Sequence, residues 1–526
     1  KLFRRRSELG KAWAGPWPRE AKAMPRLAVA VAARVSLGLA ALEQAAGWVR
    51  SFQAGYVDAS GRYAGGSEVM HLVPHRGVLY AGVGYWEDQR FLEGQSGAQV
   101  LRLDSPDAAW QVDLECGPQH MKLNILKEVT FTRGAAGQPL AQPVTLLLAA
   151  AGRSRGPGTP TFSVSVFTRN DGDGNWTETT VAQGSPRLGR WLPRALEVHR
   201  DSVTGLERVF LCIGNPGVLA GVYDPSKPGQ IRWDAAPEIS GLRTRPLAMA
   251  VAGGRLYFSA GYQIYQRIDG VRPSWRVALA MNSSSVNPDS GGIRGLTRVA
   301  TPGAPNGSCS DSLLFMWAPS GRSRGCIYRV SSCELAPDGE RQPALVLEAC
   351  AAPLMSEALG TAVGYTLGAY NRMFAVRDPA TGEPVHLVGL EGRVPGATEG
   401  LQWNGYYAGA MFALRWSSGA RYSVNEVNGR YRPGGPPLEA VRAFAMSPFP
   451  AESASGPVLY TAGFDTNFNP ATNMAWIFKA NLSLALAPPQ EFDSWGLSDG
   501  VSPGLAVPSV VASGVVTAPA SPSVYV

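Results

Sequence analysis

The chain has 526 residues, with 48 Lys and Arg against 41 Asp and Glu and a formal charge of +7. Residues 1 to 34 carry the whole surplus, and the neutral remainder gives no argument for nucleic acid as a partner. A hydrophobic content of 45% excludes wholesale disorder, while 61 Gly and 41 Pro point to many short strands joined by tight turns.

Residues 1–50 read as a leader, partly helical. After Met24, the charged Pro25-Arg26 head precedes apolar runs from Leu27 to Ala33 and from Val35 to Leu42, with Arg34 between them. This order resembles a secretory signal, and its Arg-rich, acid-poor character also fits an organelle transit peptide. The expected location is therefore secreted or extracellular, with an organelle as the alternative. No later segment offers the roughly 18 consecutive apolar residues of a membrane span.

Residues 51–490 read as seven repeated units of short strands. The first runs from Glu68 through VLYAGVGYW and AQVLRLD to WQVDL at Trp110. The second runs from Lys122 through VTLLLAA and FSVSVFTRND to Trp176, and the third from Ala195 through RVFLCIG and VLAGVYD to Trp233. The fourth, Pro246 to Leu279, is the clearest. PLAMAVA, a Gly253-Gly254 hairpin turn, RLYFSA, QIYQRID and WRVAL give four antiparallel strands. The fifth spans Gly295 through SLLFMWA and CIYRV to PALVLEA. The sixth begins at Gly364 and is longer, continuing through VHLVGLE, YAGAMFALRW and YSVNEV. The seventh, Ala443 through VLYTAGFD and AWIFKA, lacks an evident fourth strand. A segment near Trp48 to Tyr56, or the stretch after Leu482, is expected to supply it and close the ring. Residues 491–526, rich in Pro, Ser, Ala and Val, read as a disordered tail.

The fold class is therefore all-β, a seven-bladed β-propeller of four-stranded antiparallel blades. A unit of this kind cannot bury both sheet faces alone, so neighbours must supply the core. A β-sandwich or two all-β domains is the alternative. The stretches EVMHLVPHRGVLYAG, YDPSKPGQIRW, YQIYQRIDG and LYTAGFDTNFNPATNMAWIF resemble an uncharacterised group of secreted seven-bladed propellers. That resemblance covers residues 60 to 480 and implies a fold, with no catalytic residues attached. The turn Asp171-Gly172-Asp173-Gly174-Asn175-Trp176 resembles, in its Asp and Trp, the Asp-box hairpin of sialidase-type propellers.

Six Cys are present. Cys309, Cys326, Cys333 and Cys350 cluster and allow three disulfide pairings, as expected of an oxidising compartment. Zinc is disfavoured by the absence of C-x-x-C or a nearby His. The sequons Asn175, Asn282, Asn306 and Asn481 permit glycosylation.

Four units begin with Arg just before the innermost strand, namely Arg194, Arg245, Arg294 and Arg442, and Glu68 holds the matching place in the first unit. In a propeller these points surround one mouth of the central channel, where guanidinium groups suit a carboxylate, sulfate or phosphate. Glu68, His71 and His75 look like a metal set, but alternation on a strand points positions 68 and 71 to opposite faces. No cofactor is expected. The oxygen-rich loops Asp171 to Asn175 and Asp465 to Asn469 offer ligands of the type Ca²⁺ takes, although turn preference explains them equally.

The sequence reading is a secreted propeller, a binding module for an anionic small molecule or glycan at one channel mouth. It has no nucleic-acid partner, no membrane span and a monomeric state. A sialidase-like glycan hydrolase or lyase using the same pocket, with Tyr85, Tyr262 or Tyr370 as nucleophile, is one alternative. A protein-interaction platform is another. No G-x-S-x-G, H-E-x-x-H or P-loop motif occurs.

Overall fold

The computed structural model of the protein describes residues 47–487, except 86–96, 154–161, 185–191, 215, 243, 282–290, 304–308, 320–323, 336–342, 395–405, 408–409, 418–420, 428–437, 439, 454–455 and 464–472. It is a seven-bladed propeller, with each blade an antiparallel sheet whose strands run outward from the axis in chain order, except in the last blade, whose outermost strand comes from the N-terminal side. The innermost strands of blades 1 to 5 are Glu68–His75, His120–Arg133, Ala195–Arg200, Pro246–Ala252 and Gly292–Ala300. That of blade 6 comes in two pieces, Tyr365–Gly368 and Phe374–Arg377, and that of blade 7 is Val441–Met446.

Blade 4 shows how the sequence sets the pattern. Gly253 and Gly254, both at positive φ (55° and 71°), form the two-residue turn between its first two strands. Arg255–Ala260, Gln263–Ile268 and Ser274–Ala280 then complete the sheet. The near-continuous apolar runs of second strands, such as Val209-Phe210-Leu211-Cys212, follow from burial on both faces. Val209 and Leu211 pack with blade 2, while Phe210 and Cys212 pack with blade 4. The apolar core accordingly divides into seven clusters, one in each interface between neighbouring blades. Stability is distributed around the ring, as expected of a repeat that buries its faces only against neighbours.

The ring closes through the N-terminal side. Val49–Gln53 pairs antiparallel with Trp476–Asn481 and forms the fourth strand of blade 7. The other candidate, the stretch after Leu482, instead forms a short helix, Leu482–Leu486, capped by the Asn481 side chain, which accepts from Ser483 N at 2.9 Å. A small hairpin, Tyr56–Val57 with Tyr63–Ala64, then leads into blade 1. Asp58 holds it, accepting from Ser60 and Arg62 within its turn and from Val112 N on the outer strand of blade 1.

Polar clasps repeat at the outer side of three interfaces. Arg169 on the third strand of blade 2 meets Asp113 on the outer strand of blade 1 at 3.1 Å. Arg267 of blade 4 meets Glu238, which follows the outer strand of blade 3, at 2.9 Å. Arg415 of blade 6 meets Glu348 of blade 5 at 2.6 Å. The Trp residues that open fourth strands reach back in the same direction. Trp176 donates its indole N–H to Asp113, Trp275 to Glu238, and Trp110 to Ser51 Oγ on the closing strand. His75 and His199, at the ends of innermost strands, join two of these networks by bonding Asp171 and Asp269 of the following blade.

The disulfides of blade 5 are Cys309–Cys333 and Cys326–Cys350, one of the three pairings the sequence allows. Cys326 and Cys350 face each other directly across its third and fourth strands. Cys116 and Cys212 are free and buried. Among the described residues no helix is long and apolar enough to cross a membrane.

Candidate functional site

The innermost strands are irregular at one common level. Register slips at Met70 in blade 1, Asn124 in blade 2, Leu247 in blade 4, Gly295-Leu296 in blade 5 and Arg442 in blade 7. Each slip is a β-bulge, which bends the strand and reverses the faces its side chains take. The strict alternation expected for Glu68 and His71 therefore fails. The Met70 bulge brings His71 onto the channel wall, where Glu68 acts on it electrostatically.

Blade 6 departs furthest. Between its two inner pieces, residues 369–373 loop out against only Val388 and Gly389 on the neighbouring strand. Ala369 takes φ 50°, a left-handed conformation costly for a residue with a Cβ, and its N–H is held by Gly389 O at 3.0 Å. The loop crosses the channel. Asn371 donates to Met70 O of blade 1 at 2.6 Å and Arg442 O of blade 7 at 2.9 Å, and Arg372 donates to Met249 O of blade 4 at 3.0 Å. The bulges supply the first two acceptors, because a bulged carbonyl is released from the sheet ladder.

Tyr370 sits at the centre of this loop. The Arg442 guanidinium lies 3.1 Å from its ring centroid and that of Arg294 4.6 Å. Both arginines are buried. Arg194, half-buried, completes the group. Its guanidinium is pushed down to about 10 by burial and by repulsion from Arg294 and Arg442, against the attraction of Glu68. Glu391 on the second strand of blade 6 approaches Arg442 at 3.9 Å. Burial raises the Tyr370 hydroxyl above its ordinary range, partly opposed by Arg442.

The four sequence-selected arginines thus separate. Arg194, Arg294 and Arg442 build one cluster with Glu68 around Tyr370, while Arg245 lies buried at the matching point of blade 4. Of the three Tyr candidates, Tyr370 reaches the channel, and Tyr262 packs in the interface between blades 4 and 5. Asp171 is taken up by His75, Arg76 and Arg169, and Asp173 accepts from Asn175 N. The loop Asp465 to Asn469 and the sequons Asn282 and Asn306 lie outside the described residues, while Asn175 is exposed. No group of three or more His, Cys, Asp or Glu among the described residues is placed to hold a metal ion.

Arg194 and Arg442 line a cavity of about 330 Å³ to which residues of blades 1, 2, 3, 4, 6 and 7 contribute. A second charged group opens onto it. Lys127 Nζ donates to Glu197 at 3.0 Å and to Leu196 O at 2.8 Å, and Arg372 pairs with the same Glu197. Sequence reading passed over Lys127, Glu197, Arg372 and Glu391. The one available signal was the polar Tyr370-Asn371-Arg372 run interrupting what should have been an apolar inner strand.

The fold defines the class, a seven-bladed all-β propeller of four-stranded antiparallel blades. No family model matches the chain, and no curated protein matches it. Solved structures of similar topology include Trypanosoma rangeli sialidase, at 11% identity and a TM-score of 0.30, covering 66% of this chain and 56% of that one. An ancestral GH74 enzyme aligns at 10% identity and a TM-score of 0.32, covering 76% and 59%. The WD40 domain of SCAP from fission yeast aligns at 7% identity and 0.29, covering 79% and 85%. This chain therefore spans little more than half the length of the two enzymes.

Proposed function

We propose that the protein is a secreted binding module that takes the anionic group of a small molecule or glycan at the channel mouth, between Arg194, Arg294 and Arg442. The observation that carries this reading is the convergence of three guanidinium groups from three blades on Tyr370. Packing like charges in a buried site is costly, and an incoming carboxylate, sulfate or phosphate relieves that cost with charge-assisted hydrogen bonds. Two disulfides favour an oxidising compartment and hence secretion.

The test compares an acidic sugar such as a uronic acid with its uncharged parent by calorimetry. Only the acid should bind, and Arg294→Ala combined with Arg442→Ala should abolish the heat. Equal binding of both sugars, or acid binding unchanged in the double variant, overturns the reading.

A catalytic reading draws on the same residues, because the Tyr370 ring lies against Arg294 and Arg442, with Glu391 and Glu68 acting on Arg442. The raised hydroxyl of Tyr370 works against phenolate formation. Turnover of an acidic glycoside that disappears in Tyr370→Phe while ligand binding survives would establish that reading in place of simple binding.

A further inference from the structure

We propose that Lys127 is a covalent capture site, whose side-chain amine forms a Schiff base with the carbonyl carbon of a small aldehyde or ketone admitted to the channel cavity. This activity goes beyond anion binding at the arginine mouth and stands on different residues.

Lys127 lies on the innermost strand of blade 2, His120–Arg133, three residues past the bulge at Asn124. Its side chain keeps 27% of its surface and lines the cavity, so a small solute can reach it. Among the described residues Nζ has two acceptors, Leu196 O at 2.8 Å and Glu197 at 3.0 Å. A neutral amine has two N–H groups, which these acceptors satisfy, and its lone pair is left for the cavity. An ammonium would hold a third N–H there without an acceptor, in a cavity walled by Leu72, Ile125, Leu247 and Val388.

The charged neighbours act in the same direction. Arg372 shares Glu197 with Lys127, and burial leaves its guanidinium at about 10, still charged at neutral pH. Of the two bases on one carboxylate, the lysine is the one that gives up its proton. Burial first, and then the Arg372 charge, hold its ammonium well below the ordinary lysine value. His71 of blade 1, which also feels Lys127, is held at about 4 chiefly by burial and is neutral at the same pH. An amine kept neutral by desolvation and a neighbouring cation is the form in which lysine attacks carbonyl compounds.

In the reaction the Nζ lone pair forms a C–N bond while the C=O π pair moves onto oxygen. Glu197 is placed to take a proton from the nitrogen and return it to that oxygen. The carbinolamine nitrogen then expels the hydroxyl, which leaves as water with the second N–H proton. A C=O is exchanged for a C=N without oxidant or reductant. A cavity of about 330 Å³ lies at the small end of ligand pockets, so the carbonyl compound is compact.

The experiment treats the full chain with propionaldehyde and sodium cyanoborohydride, which reduces the imine to a stable N-propyl amine, and follows each lysine by peptide mapping. The exposed Lys227 is the internal reference. At about pH 7 Lys127 should be labelled about tenfold or more faster than Lys227, and the ratio should fall towards about pH 10, where ordinary lysines also lose their proton. Lys127→Arg should remove that adduct and leave Lys227 labelling unchanged. Because the ratio is measured on the native protein, poor folding of the variant would not spare the proposal. Lys127 labelled no faster than Lys227 overturns it. A preference that persists unchanged to about pH 10 overturns it as well, since it would reflect access and not a proton already lost.

Discussion

At the residue scale, Arg194 is the strongest physical support for the proposed anion site. A guanidinium held down to about 10 by burial and by neighbouring arginines is a cation in an environment that disfavours it. Arg194→Met should therefore lose anion affinity while its thermal midpoint stays level or rises, the trade expected where function opposes stability. Differential scanning calorimetry with and without ligand checks both halves, and a fall in the unliganded midpoint contradicts the argument. Two histidines give a pH signature. Burial holds His71 and His386 at about 4, below their ordinary value. Between about pH 4 and 6.5 the unfolded chain then binds more protons than the folded one, so stability should climb with pH across that window. Chemical denaturation at several pH values measures the slope, and His71→Gln should reduce it.

At the scale of elements, the interblade clasps act as rivets between sheets that otherwise meet through apolar side chains. Glu348 joins Arg415, Arg329 and the Tyr422 hydroxyl in a pocket where both Glu348 and Arg415 are almost fully enclosed. Removing the carboxylate strands a buried guanidinium, so Glu348→Ala should cost about 3–5 kcal/mol. The partners hold the Glu348 carboxyl below its ordinary range. Its contribution is therefore present above the unfolded value of about 4.3 and lost as pH falls through the folded one, and the variant should be less acid-sensitive than the native chain. The closing strand makes a second prediction. Phe52 is buried between blades 7 and 1 against Trp110, and Phe52→Ala should lower stability by about 3–5 kcal/mol, read by equilibrium unfolding. Elements of this kind were largely legible in the sequence. Period-2 apolar runs, Gly253-Gly254 and the Trp that opens fourth strands mark strands and turns locally. The split inner strand of blade 6 was not legible, because its five-residue excursion is fixed by acceptors on blades 1, 4 and 7 that no local pattern can show.

For the molecule as a whole, the described residues form seven interface cores and no central one, which leaves the axis to polar groups. Blade geometry put Arg194, Arg294 and Arg442 at one level, as their shared place in the repeat suggested. The bulges decided which side chains face the channel, and bulges depend on sheet context more than on residue type. Hence spacing could select Glu68 and the four arginines but not tell that Arg245 stands apart from the Tyr370 cluster, and Lys127, Glu197, Arg372 and Glu391 required the folded ring.

The most direct measurement is anomalous diffraction from crystals of the protein soaked in selenate, a tetrahedral oxyanion with a strong selenium signal. An anomalous peak within hydrogen-bonding distance of Arg194, Arg294 and Arg442, absent from crystals of the Arg294→Ala, Arg442→Ala variant, is the predicted result. A channel without a peak, in crystals where selenate occupies other basic sites, would contradict the anion-binding account.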